Sequence, residues 1–287
     1  MESLFSGLVL TAIALFLASA IVFSVALVTQ STNLRFASTL GSLDAGVPSG
    51  IPRAAHLLGI AGCAALAFAI ADRAAVSHRP PYGDLFEYLV VMSFGIAAVY
   101  LWLTRHGSGR RVGPLVMLLA ALTSAAATAL LPSRAEPLTP ALQNNRLLAI
   151  HVACMIAAYS ALAVAFAASL VSLAGAVDRP AWLPAQADAE WLEHQAILIG
   201  FPLLGLGIAL GAYWGNIAWG RYWGWDPKET TALASWLVYA GYMHARVLGG
   251  WKGRRASLLS VAGFAVILFN VFVVNFALAG LHSYAGA

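Results

Sequence analysis

The sequence predicts an all-α protein, a polytopic membrane helix bundle of about eight spanning helices with both termini outside. Composition is the first reason: 61% of the 287 residues are hydrophobic and only 10% are charged, with a mean hydropathy of +0.80, whereas soluble domains carry charge on about a quarter of their residues. That balance excludes a soluble enzyme, a nucleic-acid binder and a disordered chain. The second reason is the distribution of the apolar residues. A spanning helix needs roughly 20 of them in sequence, and eight such stretches follow one another at approximately 4–28, 54–76, 85–104, 112–131, 147–175, 196–213, 229–248 and 257–281.

The first stretch is preceded by one charged residue, Glu2, and so lacks the basic segment of a cleavable signal peptide; it reads as a retained span. Asp72 and Arg73 close the second stretch and Glu87 opens the third, where charged heads reach the interface. Cys63 and Cys154 stand alone inside the second and fifth stretches, as buried thiols and not a disulfide framework. Segment 176–195 has two prolines followed by an acidic stretch with Trp182 and Trp191, which predicts a short helix lying at the interface. The remaining content lies in loops 29–53 and 132–146.

Orientation follows from the basic residues, which collect on the cytoplasmic side of membrane proteins. With the N-terminus outside, the inner connections hold Arg35, Arg53, Arg105, Arg110, Arg111, Arg179, Arg246, Lys252, Arg254 and Arg255, ten of the sixteen. The net charge of +4 is therefore topology information; no basic stripe suggests a polyanion partner.

The stretch 213–230, YWGNIAWGRYWGWDPKET, places Trp214, Trp219, Trp223 and Trp225 in one outer connection, together with Tyr213 and Tyr222. An interfacial aromatic belt accounts for isolated residues such as Trp102 and Trp251. A cluster threaded with Gly215, Gly220 and Gly224 and closed by Asp226-Pro227 fits better as a platform for a large planar apolar ligand, because glycine permits close approach and indoles offer broad faces. A flat metal-bearing ligand such as haem needs axial ligands at the same level. His151, at the outer start of the fifth helix, and His282, past the outer end of the eighth, share the face of the Trp-rich loop. Either alone reads better as an ordinary interfacial residue; together they point to a bis-histidine site. His244 lies roughly 22 Å along its helix from Glu229, in the inner third of the membrane, where an ionisable group is expected to face the protein interior. His56, His78, His106 and His194 lie in or beside loops, with His56 and His194 as possible inner-side ligands. Asp226 also reads as a helix cap, since Asp-Pro suits a helix start.

With these residues in view, WGNIAWGRYWGWDPKET resembles the WWD signature of haem-handling membrane proteins, and within that group the chain resembles the CcsA (ResC) family of System II cytochrome c biogenesis. SWLVYAGYMHARVLGGWKGRRA, NFALAGLHSYAG, IHVACMIAAYSAL and RPPYGDLFEYLVVMSF extend the likeness. It divides the chain into helices 1–2 at 1–76, which match only generally, and a haem-handling core at 77–287. Thr231 departs from the pattern, since relatives often carry tryptophan after the KET triplet.

The resemblance implies that His151 and His282 are axial ligands of an external haem b, with Trp214, Trp219, Trp223, Trp225 and Asp226 contributing to its pocket, and that His244 binds haem inside the membrane. It implies a separate CcsB (ResB) subunit, which supplies the second ligand at His244 (His56 or His194 if it does not), and an apocytochrome c with a CxxCH segment as protein substrate; thiol-reducing thioredoxin-like proteins are further possible partners. The activity implied is that of a holocytochrome c synthase, or haem lyase, with no catalytic residue beyond those that position haem. Two other readings use part of the same evidence: a System I haem-delivery protein like CcmC, which performs no ligation, and a non-haem transporter gated by the aromatic loop. The short loops and abundant Ala and Gly point to a bacterial cell membrane in preference to a thylakoid, with the haem site on the extracytoplasmic face.

Overall fold

The computed structural model describes residues 2–40, 50–133, 146–175 and 182–277. Among them are eight long helices and no strand: α1 (Glu2–Leu40), α2 (Gly50–Ser77), α3 (Leu85–Leu103), α4 (Gly113–Leu130), α5 (Arg146–Ala174), α6 (Gln186–Trp219), α7 (Pro227–Val247) and α8 (Arg254–Leu268), the last continued by a π turn (Phe269–Val273) and a final turn (Val274–Ala277). Seven helical segments are long and apolar enough to cross a membrane. The helix outside that set is α7, whose 21 residues span about 31 Å but include Tyr239, Tyr242, His244 and Arg246.

Helix ends differ from the hydropathy reading in three places. α1 continues to Leu40 and α2 begins at Gly50, so much of the expected loop 29–53 is helical. The part of segment 176–195 from Gln186 onward, expected to be a short helix at the interface, is the start of α6, which runs unbroken through the sixth apolar stretch. A hydropathy window ends where Asp188, Glu190, Glu193 and His194 lower the average, yet these residues favour helix well enough to extend it. At the other end of α6, Tyr213, Trp214 and Trp219 are helical, which shortens the aromatic connection to 220–226.

Consecutive helices pack antiparallel, and α3 lies parallel to α5, with Ser160 bonded to the Met92 carbonyl one helix over. α1 packs on α2 and α4, α3 on α4 and α5, α5 on α6 and α8, and α7 on α8. A membrane interior provides no hydrophobic drive between helices, so close backbone approach through small residues has to supply the contact. The α5·α6 pair does this in strict register. A Cβ at Gly200 would stand 2.6 Å from Leu162 Cγ, one at Gly207 2.5 Å from Met155 Sδ, and one at Gly211 2.7 Å from His151 Cε1. Residues 151, 155 and 162 thus lie along one face of α5, each seated in a glycine notch on α6.

Polar groups fasten the two ends of the bundle. At the end where α5 starts and α6 stops, Arg73 and Glu87 are not interfacial, contrary to expectation: they are 5% and 1% exposed and pair at 2.8 Å. Glu87 also accepts from Arg79 Nη1 at 2.6 Å and from the Gly83 amide at 2.9 Å. Arg73 Nη2 donates to the Ser133 carbonyl, and its guanidinium lies over the Phe5 ring. One arginine therefore joins α1, α2, α3 and the end of α4. A buried carboxylate is tolerated only when its lone pairs are filled, and four donors fill these. At the opposite end, Tyr100 donates to the Arg110 carbonyl and Ser257 to Glu193 Oε2. Cys63 is buried, as expected, while Cys154 is half-buried.

Replacing Glu87 with Gln, which keeps its shape but leaves two arginines uncompensated, should lower the unfolding free energy by about 3 kcal/mol, measured by denaturant titration in detergent; a loss within experimental error would show that the cluster does not hold these four helices.

Candidate functional site

His151 stands two turns into α5, with its ring against the glycine notch of α6. Nδ1 lies 2.8 Å from the Gly207 carbonyl oxygen. A carbonyl only accepts, so Nδ1 carries the hydrogen and the ring's lone pair is on Nε2. This is the second-shell arrangement that fixes tautomer and ring orientation in metal-ligating histidines. Gly211 is required here because any side chain would occupy the position of the ring.

The tryptophans begin one turn beyond Gly211 and form two pairs. Trp214 is 1% exposed and meets Trp219 edge to face, with centroids 4.7 Å apart. Trp214 is therefore a buried support and not part of an open floor. Trp223 and Trp225 make a second edge-to-face pair at 5.8 Å, and Trp225 is 70% exposed. Edge-to-face geometry satisfies the ring quadrupoles, so neither pair offers two coplanar indoles. Trp225 holds φ at +55°, unusual for a bulky residue and of a kind that clusters at functional sites. Gly220 ends α6 with φ at +72°. The other two glycines serve the connection's own packing, Gly215 beneath the Trp219 ring and Gly224 beneath the Arg221 guanidinium.

Asp226 is buried and caps α7. Its carboxylate accepts from the Lys228 amide at 2.9 Å, and a reciprocal capping box is formed with Glu229. Glu229 Oε2 reaches back to the amides of Gly224 and Asp226. The geometry thus gives Asp226 the cap role that its position before Pro227 suggested. On the other side of His151, the RPPYGD loop is tied to α5 by Tyr82, whose hydroxyl donates to the Ala149 carbonyl at 3.0 Å. Burial raises the Asp84 carboxyl above its ordinary range, although this side chain caps α3 by accepting from the Glu87 amide.

His282 falls outside the described residues, so its distance from His151 is not part of the geometry. His244 lies in the last turn of α7 and is exposed. The expectation that it faces the protein interior is overturned: Tyr242 is buried, and a residue two positions on points nearly the opposite way around a helix. His194 sits on the inward side of α6, its ring 6.3 Å from that of Tyr242. His56 lies near the start of α2, and His78 and His106 are exposed. Among the described residues no group of three or more His, Cys, Asp or Glu side chains is arranged for a metal ion.

Sequence reasoning passed over the glycine notches, although GLGIALGAYWG contains glycines at 207, 211 and 215, the small-residue spacing that brings membrane helices together. It also passed over Asn270, a polar residue in the middle of the apolar eighth stretch.

The model of the cytochrome c assembly protein family matches residues 82–282. The chain belongs to that family. The matched region begins at Tyr82 in the RPPYGD loop and takes in the His151 helix, the Trp-rich connection and His282. Among similar proteins, the cytochrome c biogenesis protein CcsA of Synechococcus sp. (strain JA-3-3Ab) is 36% identical over 266 residues, covering 71% of this chain and 77% of that protein. CcsA of Porphyra purpurea is 31% identical over 282 residues, covering 82% and 88%. The solved structure of the cytochrome c heme lyase CcmF shares the fold, with a TM-score of 0.63 at 19% identity over 93% of this chain; the chain spans 46% of its length. The protein is a multi-pass cytochrome c assembly protein.

Removing the Asp226 carboxylate (Asp226→Ala) should cost about 1 kcal/mol, whereas Asp226→Asn, also a good cap, should stay within about 0.5 kcal/mol of the parent. Denaturant unfolding of both variants checks this, and equal losses would argue against the capping role.

Proposed function

We propose that the chain is the haem-handling membrane subunit of a System II cytochrome c synthase, which holds haem b at the outer face and positions it for attachment to an apocytochrome c. The observation that carries the proposal is the His151 ring, whose Nδ1 is committed to the Gly207 carbonyl and whose lone-pair nitrogen is the one suited to iron. The residues around it fit a haem: the Trp-rich connection follows within a few turns, and Trp225 presents its indole at the surface.

In this reading His151 and His282 hold the iron, Trp223 and Trp225 meet the porphyrin face, and Trp214 and Trp219 support them from beneath. Asp226 and Glu229 act indirectly, by holding the connection in shape. The exposed placement of His244 suits a second haem position shared between subunits, with CcsB supplying the other ligand, or His56 or His194 within the chain if it does not. This makes a separate CcsB subunit and a CxxCH-bearing apocytochrome c the partners, thioredoxin-like reductants the suppliers of free thiols, and a bacterial cell membrane the location.

Attachment adds each cysteine S–H across a haem vinyl C=C, forming one C–S and one C–H bond with no oxidant consumed. The thiols come from the apocytochrome, because Cys63 and Cys154 lie within α2 and α5. The chain's contribution is position. It fixes the imidazole, supports one face of a planar substrate and excludes water from that face, and holding reactants in near-attack geometry accounts for the larger part of such rate effects.

Purified protein should carry low-spin haem absorbance. Gly211→Val, which drives a side chain into the ring position, should weaken haem retention about tenfold, measured by transfer to apomyoglobin. The ligation claim is tested by co-expressing the chain and a CcsB subunit with an apocytochrome c in cells lacking other maturation systems. Covalent haem on the cytochrome is the expected result; haem transfer without thioethers would instead favour a delivery protein.

A further inference from the structure

Helix α8 is regular until Leu268, where five residues, Phe269–Val273, take a π turn. A π turn inserts one residue into the helical ladder and rotates everything beyond it, and such turns collect at functional sites. This one contains Asn270, which is 6% exposed. Its amide donates one hydrogen to the Lys228 carbonyl at 3.0 Å and the other to Thr231 Oγ1. Thr231 in turn donates to the Pro227 carbonyl at 2.6 Å and accepts at its backbone carbonyl from Ser235. Both amide hydrogens of Asn270 are therefore used, and both acceptors belong to the first turn of α7.

That turn is the one capped by Asp226 and Glu229 at the close of the Trp-rich connection. The Thr231 hydroxyl serves at once as acceptor for Asn270 and as donor to the Pro227 carbonyl. The chain beyond the π turn leads in sequence to His282. One side-chain amide thus ties the helix preceding the C-terminal histidine segment to the base of the aromatic connection.

We propose that Asn270 is a positioning residue of the outer haem site: its two hydrogen bonds lock the π turn of α8 to the first turn of α7 and hold the connection 220–226 in register with α8. The haem part of this statement rests on the proposed function; the lock itself does not. Carbonyls in the first turn of a helix already accept from the helical ladder, so a second donor there is a dedicated contact, and a buried amide without these acceptors would be costly.

The test uses the full chain with its CcsB partner and three variants. Asn270→Leu keeps the volume and removes both donors, Thr231→Val keeps the shape and removes one acceptor, and Thr231→Ser keeps the hydroxyl. Hydrogen exchange of segment 220–231 should be about fivefold faster in Asn270→Leu, faster to a smaller degree in Thr231→Val and unchanged in Thr231→Ser. Haem retention should fall about tenfold in Asn270→Leu, with low-spin absorbance reduced, and Thr231→Ser should match the parent. Unchanged exchange in both Asn270→Leu and Thr231→Val overturns the lock, and faster exchange with an unchanged haem spectrum overturns the positioning role. If Asn270→Leu does not fold, the Thr231→Val and Thr231→Ser pair decides the same questions. A haem-free parent would overturn the proposed function, while the exchange measurement still decides the lock.

Discussion

Three glycines on α6 determine where the His151 ring can be. Gly200, Gly207 and Gly211 receive Leu162, Met155 and His151 from α5 at distances that leave no room for a Cβ, and they do so in one antiparallel register. Sliding α5 by a single turn would drive at least one of these side chains into backbone. Because lipid and protein interiors are equally apolar, such fit is what holds two membrane helices in one alignment. The register also brings the Gly207 carbonyl to His151 Nδ1. Helix packing and ring chemistry are thus set by the same contact.

The aromatic connection depends on this alignment and on the helix that follows. α6 carries Trp214 and Trp219 beyond the His151 notch, Gly220 turns the chain, and the Asp226–Glu229 capping box starts α7 while Glu229 draws in the amides of Gly224 and Asp226. A short, internally bonded connection can hold Trp225 at positive φ, because the bonds on both sides leave the backbone few alternatives. The Arg73–Glu87 cluster anchors the other half of the same end, and Tyr82 links it to α5. The exposed indoles therefore stand on a base that is braced from both sides.

Much of this was legible in the sequence, because the cost of placing backbone in lipid makes long apolar stretches helical. All eight stretches became helices in order, and the family was recognisable from its Trp-rich segment. The failures have a common physical origin: hydropathy reports partition, not backbone bonding or facing direction. Gln186 to Gln195 is polar yet helical, and Tyr213 to Trp219 is aromatic yet helical. Arg73 and Glu87 each look interfacial alone, and only their packing shows a buried pair. His244 was expected to face inward because it is ionisable, but the helical period that buries Tyr239 and Tyr242 turns it outward. The glycine spacing was visible in the sequence, but which partner fills each notch depends on α5.

The central claim is that His151 Nε2 ligates haem iron. Chemical rescue tests it most directly. In His151→Gly, which opens a cavity where the ring was, the account predicts loss of the low-spin haem spectrum and its return on adding imidazole, with the Trp-rich connection unchanged. A His151→Gly protein that keeps the parent low-spin spectrum without imidazole would contradict the account.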